Sequence, residues 1–540
     1  KKTLNEDQQE DYNQIVFSFL KKNVVLLHGV TSSGKTEIYI HLIRQALERK
    51  QQVLYLLPEI ALTVQIRQRL QRVFGDRLGI YHSKYSDAER VEIWKKQMSQ
   101  NPYGVILGAR SAVLLPFSNL GLVIIDEEHE TSFKQQDPAP RYHARSAAIM
   151  LAAKAGAKVL LGSATPCAET WHNARTGKYG YVRLDKRFGD MQMPEINVVD
   201  IKDLQHRKMM NGPFSPLLLS SVRRALDNKE QVILFQNRRG FAPMIECREC
   251  GWTPRCEACD VSLTFHKALG QLTCHYCGRT YAVPDVCPCC GSHDLRGRGY
   301  GTEKVEDKVM ELFPDARVAR MDLDTTRTRN AYERLISDFS AHRTDILIGT
   351  QMVSKGLDFD KVSVVGILNA DSMLNYPDFR AYEHAFTMMA QVAGRAGRKG
   401  KRGLVILQTK SPELPVIAQV VRNDMEGFYS DLLEERQLFR YPPFYHIINV
   451  YLRHKDEPVV CAAADALGTL LRQWFGTRVL GPDKPSVARV KAMNIRKMVV
   501  KLELGIDLAK VRLYLNKGKS AVLQDNRYKT VTVYFDVDPL

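Results

Sequence analysis

The run Gly29-Val30-Thr31-Ser32-Ser33-Gly34-Lys35-Thr36 satisfies every fixed position of the phosphate-cradling pattern G-x-x-x-x-G-K-[ST]. An apolar run, Val24–Leu27, precedes it and reads as a buried strand, and Glu37–Ile43 follows and reads as the start of a helix. In that frame Gly29, Thr31, Ser32, Ser33 and Gly34 turn backbone amides onto phosphates at a helix N-terminus. Lys35 reaches the β- and γ-phosphates and the Thr36 hydroxyl ligates Mg2+. The chain is therefore expected to bind a nucleoside triphosphate. A second apolar run, Leu122–Ile125, ends in Asp126-Glu127-Glu128-His129. At a strand end beside the phosphate loop, Asp126 holds Mg2+ and Glu127 orients the attacking water, so hydrolysis is expected as well as binding. Far downstream, Gln391-Val392-Ala393-Gly394-Arg395-Ala396-Gly397-Arg398 carries two arginines that share a face if the segment is helical. A guanidinium of Arg395 or Arg398 brought to the γ-phosphate stabilises transferring charge, an effect of roughly 10³–10⁵ in rate. Gln391 is grouped with them as catalytic.

Eleven cysteines are present, and eight fall into four C-x-x-C pairs: Cys247/Cys250, Cys256/Cys259, Cys274/Cys277 and Cys287/Cys290. Pairs of this kind in a reducing compartment are zinc knuckles far more often than disulfides. Eight thiolates make two closed four-coordinate Zn2+ sites, which are structural because no position is left for water. Spacing leaves open which pairs share an ion. Cys289 offers an alternative to Cys290, and the x₂ spacing favours Cys290. Cys167 and Cys461 read as ordinary buried thiols.

The elements that must position these groups form two series. Strand-like runs recur at Val24–Leu27, Val53–Leu57, Gly104–Leu107, Leu122–Ile125 and Val159–Leu161, with helical stretches between them. A second series runs through Gln231–Phe235, Arg317–Asp322, Asp345–Ile348, Val362–Leu368 and Gly403–Leu407, with the cysteine cluster inserted after its first strand. This alternation predicts an α/β fold of two tandem parallel-sheet lobes with ligands at the strand carboxyl ends. The expected organisation is a nucleotide-binding lobe at 1–185, a connector at 186–215, and a second lobe at 216–440. The zinc insert lies at 245–296 within the second lobe, and an α+β domain follows at 441–540. The 540 residues exceed what one core supports, and 77 Lys and Arg against 60 acidic residues give a net charge of +17, the balance of an ATPase that meets a polyanion. No apolar run reaches the roughly 18 residues that span a bilayer, and nothing at the start resembles a signal peptide, so a cytoplasmic protein with no membrane partner is expected. The chain opens on Lys1-Lys2 without methionine, as an excised fragment does.

The set Gly29–Thr36, Pro58–Thr63, Gly108–Ala112, Asp126–His129 and Gly162–Pro166 resembles the first lobe of superfamily 2 helicases, and Gly349–Gly356 with Gln391–Arg398 resembles the second. More narrowly, Asn237–Pro243 leading into the eight-cysteine insert resembles the PriA family of replication-restart helicases, as do Lys134–Gln136 with Arg141–Arg145, and Arg320–Thr326. The resemblance covers nearly the whole chain. It implies two RecA-like lobes and an ATP-driven DNA helicase moving 3′ to 5′, nucleoid-associated, that binds stalled or branched forks and helps load the replicative helicase. Implied partners are forked and single-stranded DNA, the acidic tail of single-stranded DNA-binding protein, and primosome and helicase-loader proteins. The resemblance implies nested zinc sites, Cys247, Cys250, Cys287 and Cys290 outside, and Cys256, Cys259, Cys274 and Cys277 inside. It assigns Gln8 to adenine and makes Ser132–Arg145 a loop coupling DNA to hydrolysis, with Asp137–Pro140 where some members carry an aromatic residue. Family members also carry DNA-end-binding modules ahead of the lobes, whereas this chain starts at the adenine position.

Some residues keep two readings at this level. Arg110, Ser111, Thr350 and Gln351 either grip phosphates or cap helices. Thr165 bridges lobes and His129 links nucleotide to DNA, or is a hydrogen-bonded neighbour of the carboxylates. The basic stretch Arg489, Lys491, Arg496, Lys497 and Lys501 touches DNA or an acidic tail, or is a solvated strand face. The rival functions are a double-strand translocase or RNA helicase with the same lobes, and a fork-binding scaffold with secondary ATP turnover.

Overall fold

The computed structural model describes every residue except 1–2, 30–33, 84, 186–191, 237–243, 267–268, 275, 298–304, 322–324, 327, 350–360, 398–400 and 486–487. Strands β1 (Val24–Gly29), β2 (Gln52–Leu56), β3 (Leu78–Tyr81), β4 (Val105–Gly108), β5 (Leu120–Asp126), β6 (Lys158–Ser163) and β7 (Gly180–Leu184) form one parallel sheet in the order β3-β4-β2-β5-β6-β1-β7. The expected strands are its five inner members. The edges β3 and β7 are only partly buried and carry no continuous apolar run, so periodicity does not reveal them. Both faces are covered: Val25 and Leu27 point into one apolar cluster, and Leu26 between them into another. The order β5-β6-β1 places the strand ends Asp126, Ser163 and Gly29 along one edge of the sheet.

The second sheet is built from β8 (Glu195–Asp200) and β9 (Gln231–Phe235) before the insert and four strands after it. Within the insert, β10 (Ile245–Cys247) pairs antiparallel with β14 (Leu295–Gly297), and β11 (Thr264–His266), β12 (Gln271–Thr273) and β13 (Thr280–Ala282) form a small antiparallel sheet. With β15 (Val318–Met321), β16 (Ile346–Gly349), β17 (Val362–Ile367) and β18 (Leu404–Thr409), the parallel order is β15-β16-β9-β17-β18-β8. Here the structure corrects the expectation of a plain connector. The chain leaves the first sheet at its edge strand β7 and enters the second at its edge strand β8, which pairs with β18 from Glu195↔Leu404 to Asp200↔Thr409. Strand β8 is mostly half-buried, which hides its signal.

The last unit is an antiparallel sheet of β19 (Tyr445–His454), β20 (Val479–Asp483), β21 (Arg489–Val490), β22 (Met493–Glu503) and β23 (Thr532–Val537), in the order β20-β22-β19-β23 with β21 on β22. Helices Glu457–Phe475 and Leu508–Gln524 cover one face through Val450, Leu467, Leu471, Met498 and Leu515. Cys167 is buried as expected, while Cys461 is half-buried beside Arg496. Among the described residues no helix is long and apolar enough to cross a membrane.

The two lobes share a core. Ala168 and Trp171, from the first lobe, join the main apolar cluster of the second, and the Trp171 ring stacks on Tyr429 with centroids 4.4 Å apart. Around that stack lie buried charges. Arg380 pairs with Glu169 at 2.7 Å, and Arg436 with Glu383 at 2.6 Å. Burial by itself raises the Glu169 carboxyl, but Arg380 and then Arg436 outweigh it and hold the group well below the usual carboxylate range.

Candidate active site

Gly34 stands at φ 79°, a conformation that glycine adopts without steric cost, and helix Lys35–Glu48 starts immediately after it. Lys35 and Thr36 thus occupy the first turn, where the dipole and unpaired amides favour an anion. Thr31, Ser32 and Ser33 lie outside the described residues. Gln8 is buried in the first turn of helix Glu6–Phe19, where its side chain and that of Asn5 cap each other reciprocally. Its amide also donates to Gly34 O at 3.4 Å, which fixes the expected adenine residue against the end of the phosphate loop.

At the carboxyl end of β5, Asp126 accepts a 2.7 Å hydrogen bond from the fully buried Tyr39 hydroxyl. Gly162 is required here, since a Cβ would collide with that hydroxyl. Burial pushes the Asp126 carboxyl above its ordinary value and Glu127 adds to this, while Lys35 opposes it. A buried carboxylate short of compensating charge suits a divalent cation, so Lys35, Thr36 and Asp126 fit a Mg2+-bound triphosphate. Glu127 follows at φ 53°, a left-handed turn that costs a residue with a Cβ roughly 1–3 kcal/mol and aims its carboxylate off the strand line. Glu128 has a different role. It is fully buried and accepts from Cys167 N at 2.8 Å, Thr170 Oγ1 at 2.9 Å and Arg145 Nη1 at 3.0 Å. It ties the acidic turn to two helices.

The second lobe reaches this turn through Gln391. Its amide nitrogen lies 2.7 Å from His129 Nε2, 3.2 Å from Thr165 Oγ1 and 3.4 Å from Glu127 Oε2. With Gln391 donating, His129 carries its proton on Nδ1 and donates to Ser163 Oγ at 2.6 Å. Thr165 and His129 therefore stand at the lobe junction, a place the sequence suggested for Thr165 but not for His129. Helix Ala381–Ala393 ends before the arginines, with Gly394 as its cap and Gly397 at φ 110°, so the condition for a shared helical face is not met at Arg395. The glycine turn exists because Gly397 and Gly403 pack backbone to backbone, where a Cβ on Gly403 would collide. Arg395 is half-buried and its charge acts on Tyr332 of the same lobe. Arg398, with Thr350 and Gln351, lies outside the described residues.

Arg110 donates to Ser132 O at 3.1 Å and Lys134 O at 3.2 Å, so it braces the loop after the acidic turn. That loop is seated on the C-terminal sheet. The Lys134 ammonium is buried and meets Arg141 O and Val537 O at 2.7 Å and Asp536 Oδ1 at 2.9 Å. The basic stretch beyond it is not a uniformly solvated face: Arg489 and Lys491 are exposed, but Arg496 pairs with Glu457 and buried Lys501 donates to Phe439 O.

The cysteines converge in two groups, Cys247, Cys250, Cys287 and Cys290, and Cys256, Cys259, Cys274 and Cys277, which is the nested arrangement. Sulfur separations of 3.6 Å for Cys247–Cys290 and Cys250–Cys287, and 3.7 Å for Cys256–Cys277, match four thiolates at roughly 2.3 Å around a tetrahedral ion. Both tetrads fit Zn2+, and Cys289 is left outside them, exposed.

Paired RecA-like lobes with the phosphate loop on one and Gln391 reaching from the other define a helicase core. In agreement, residues 5–173 match the DEAD/DEAH box helicase family and 301–400 the helicase conserved C-terminal domain. Residues 256–280 match the PriA DNA helicase Cys-rich region domain, and 437–540 the primosomal protein N C-terminal domain. The replication restart protein PriA of Haemophilus influenzae is 39% identical over 540 residues, covering 99% of this chain and 72% of that protein. That of Bacillus subtilis is 39% identical over 518 residues, covering 96% of this chain and 64% of that protein. Among solved structures, the DNA-bound DUF1998 helicase MrfA aligns with a TM-score of 0.47 at 16% identity, over 79% of this chain and 51% of that one. The chain belongs to the replication restart protein PriA family, and spans about two thirds of the length of these two relatives.

Proposed function

We propose that this chain is the motor of an ATP-dependent DNA helicase of replication restart, acting on forked and single-stranded DNA with 3′ to 5′ polarity. Gln8 reads adenine, Gly29 to Thr36 hold the phosphates, and Asp126 with Thr36 holds Mg2+. The bound triphosphate supplies the free energy of phosphoryl transfer to water. Glu127 orients that water, and Arg395 with Arg398 stabilises the charge that develops. Gln391 carries the reading: one amide spans Glu127, His129 and Thr165, so a change at the acidic turn is felt at once by the opposite lobe. Units at 1–185, 216–440 and 441–540 then alternate in their grip on a strand. Single-stranded DNA-binding protein, primosome proteins and helicase loaders are the partners, and the nucleoid in the cytoplasm is the site of action.

The test is steady-state ATP hydrolysis with forked DNA, single-stranded RNA or neither, followed by strand displacement. DNA is expected to raise turnover, and Lys35→Ala or Glu127→Gln to abolish it while DNA binding persists. Turnover near the wild-type rate in either variant overturns the site, equal stimulation by RNA favours an RNA helicase, and DNA-stimulated turnover without displacement favours a translocase.

A further inference from the structure

Strands β19, β22 and β23 alternate as half-buried strands do. Ile448, Val450, Leu452, Met498 and Val533 fill the core under the two C-terminal helices. The other face carries Asn449, Tyr451, Lys497 and Tyr534, of which Asn449 is buried and the rest half-buried. The loop after the acidic turn, the second lobe and the zinc insert wall it through Arg141, Phe379 and Tyr276, leaving a partly open cavity of about 380 Å³. That volume falls within the range of small-ligand clefts, roughly 300–1,000 Å³.

The cavity wall has unmet chemistry. Asn449 is only 5% exposed, yet its Oδ1 has no partner among the described residues, and its Nδ2 makes a single long bond of 3.4 Å to the Tyr451 hydroxyl. A buried amide left in this state on a cavity wall calls for a ligand with both a donor and an acceptor. Beside it the Tyr451 and Tyr534 rings stack at 5.0 Å, with the Arg141 guanidinium 4.1 Å from the Tyr534 ring centre. On the same face Lys497 lies across from Tyr451, and its ammonium reaches toward the facing wall to 4.9 Å from the centre of the Tyr276 ring, with no ion pair or hydrogen bond among the described residues.

We propose that this cavity takes one unstacked nucleotide of a DNA single strand, its base edge on the Asn449 amide, its ring against the aromatic and guanidinium wall, and its phosphate on Lys497. A side-chain amide is the group that pairs with an adenine edge, and aromatic faces hold any base. Arg141, Arg453 and Lys497 on the lining are cations enough for one phosphate, while Asp137, Asp378 and Asp536 among them disfavour a peptide that brings several carboxylates. The proposal rests on the DNA reading above and adds to it a base-holding position, joined through Arg141 to the loop that leaves the acidic turn.

Fluorescence anisotropy of the whole chain with a labelled oligo(dA), and with the same strand carrying abasic residues, tests it. The wild type is expected to prefer the intact strand about ten-fold, in line with the loss of base stacking elsewhere. Asn449→Leu is expected to remove most of that preference without weakening the abasic strand. Lys497→Gln is expected to weaken both strands, with both variants melting as the wild type does. Unchanged base preference in stably folded Asn449→Leu, together with unchanged affinity in Lys497→Gln, overturns the assignment. So does displacement of the strand by an acidic peptide from the wild type but not from Asn449→Leu, which makes the cavity a peptide site. Binding of free dAMP at Asn449 with no preference between the two strands makes it an effector site instead. A wild-type chain that binds neither strand and shows no DNA-stimulated hydrolysis sinks the DNA reading itself, a result distinct from normal binding that ignores Asn449.

Discussion

Besides a half-buried ion pair of Arg67 with Glu333, the lobes meet in two places of opposite character. At Trp171 the contact is an aromatic stack on Tyr429 surrounded by apolar side chains, with Glu169, Arg380, Glu383 and Arg436 paired in its interior. At Gln391 the contact is one amide shared among three partners at 2.7 to 3.4 Å. The first resists separation, because any opening exposes apolar surface and strips charges of their partners. The second can be made and broken at little cost, since a neutral hydrogen bond is worth about 1 kcal/mol net. A two-lobed ATPase needs both: a permanent joint, and a contact that nucleotide chemistry can switch.

The contrast can be broken at its strong side first. Arg436→Ala strips buried Glu383 of its 2.6 Å partner and leaves it only Arg380 at 3.8 Å, which should cost about 3 kcal/mol of stability, read as a lowered urea midpoint. Trp171→Ala, at a site only 3% exposed, should cost about 3–5 kcal/mol by the same measurement. Acid sharpens the contrast next. The folded Glu169 carboxyl lies below its ordinary value of 4.5, so its contribution is fully present above that pH and is lost as pH falls through the depressed folded value. The urea midpoint should therefore drop on acidification more steeply in the wild type than in Glu169→Gln. The weak side gives the smallest change in stability. Gln391→Ala should shift the midpoint by about 1 kcal/mol or less while DNA-stimulated hydrolysis falls at least ten-fold, measured as steady-state turnover. Loss of stability on the scale of Arg436→Ala would make Gln391 part of the joint rather than the switch.

The inner strands of both sheets were legible because each is a short apolar run between helical stretches, and the cysteine tetrads because their spacing is a coordination pattern. Strands β3, β7 and β8 were not, since a half-buried edge strand mixes polar and apolar residues without a clear period. In the site, Asp126 and Glu127 stood out as a carboxylate pair at a strand end, while Glu128 beside them carried no reading of its own. Only its donors from Arg145, Cys167 and Thr170 distinguish it as a tie between elements. The sequence left open whether the arginine segment is helical, because Gly394 and Gly397 are compatible with a helix on paper. The helix ends at Ala393, and Gly397 packs tightly against Gly403 in the segment leading into β18.

What the chain determined by itself is chemistry that fits within a few consecutive residues: a phosphate loop, an acidic turn and thiol knuckles. Their geometry follows from local backbone form and ligand spacing, which sequence carries directly. Tertiary packing alone decided which distant groups meet, as when Gln391 reaches Glu127 across 264 positions or the polar face of β19 closes into a cavity. Such encounters depend on how whole layers bury their apolar faces against each other, and no stretch of sequence holds that information alone.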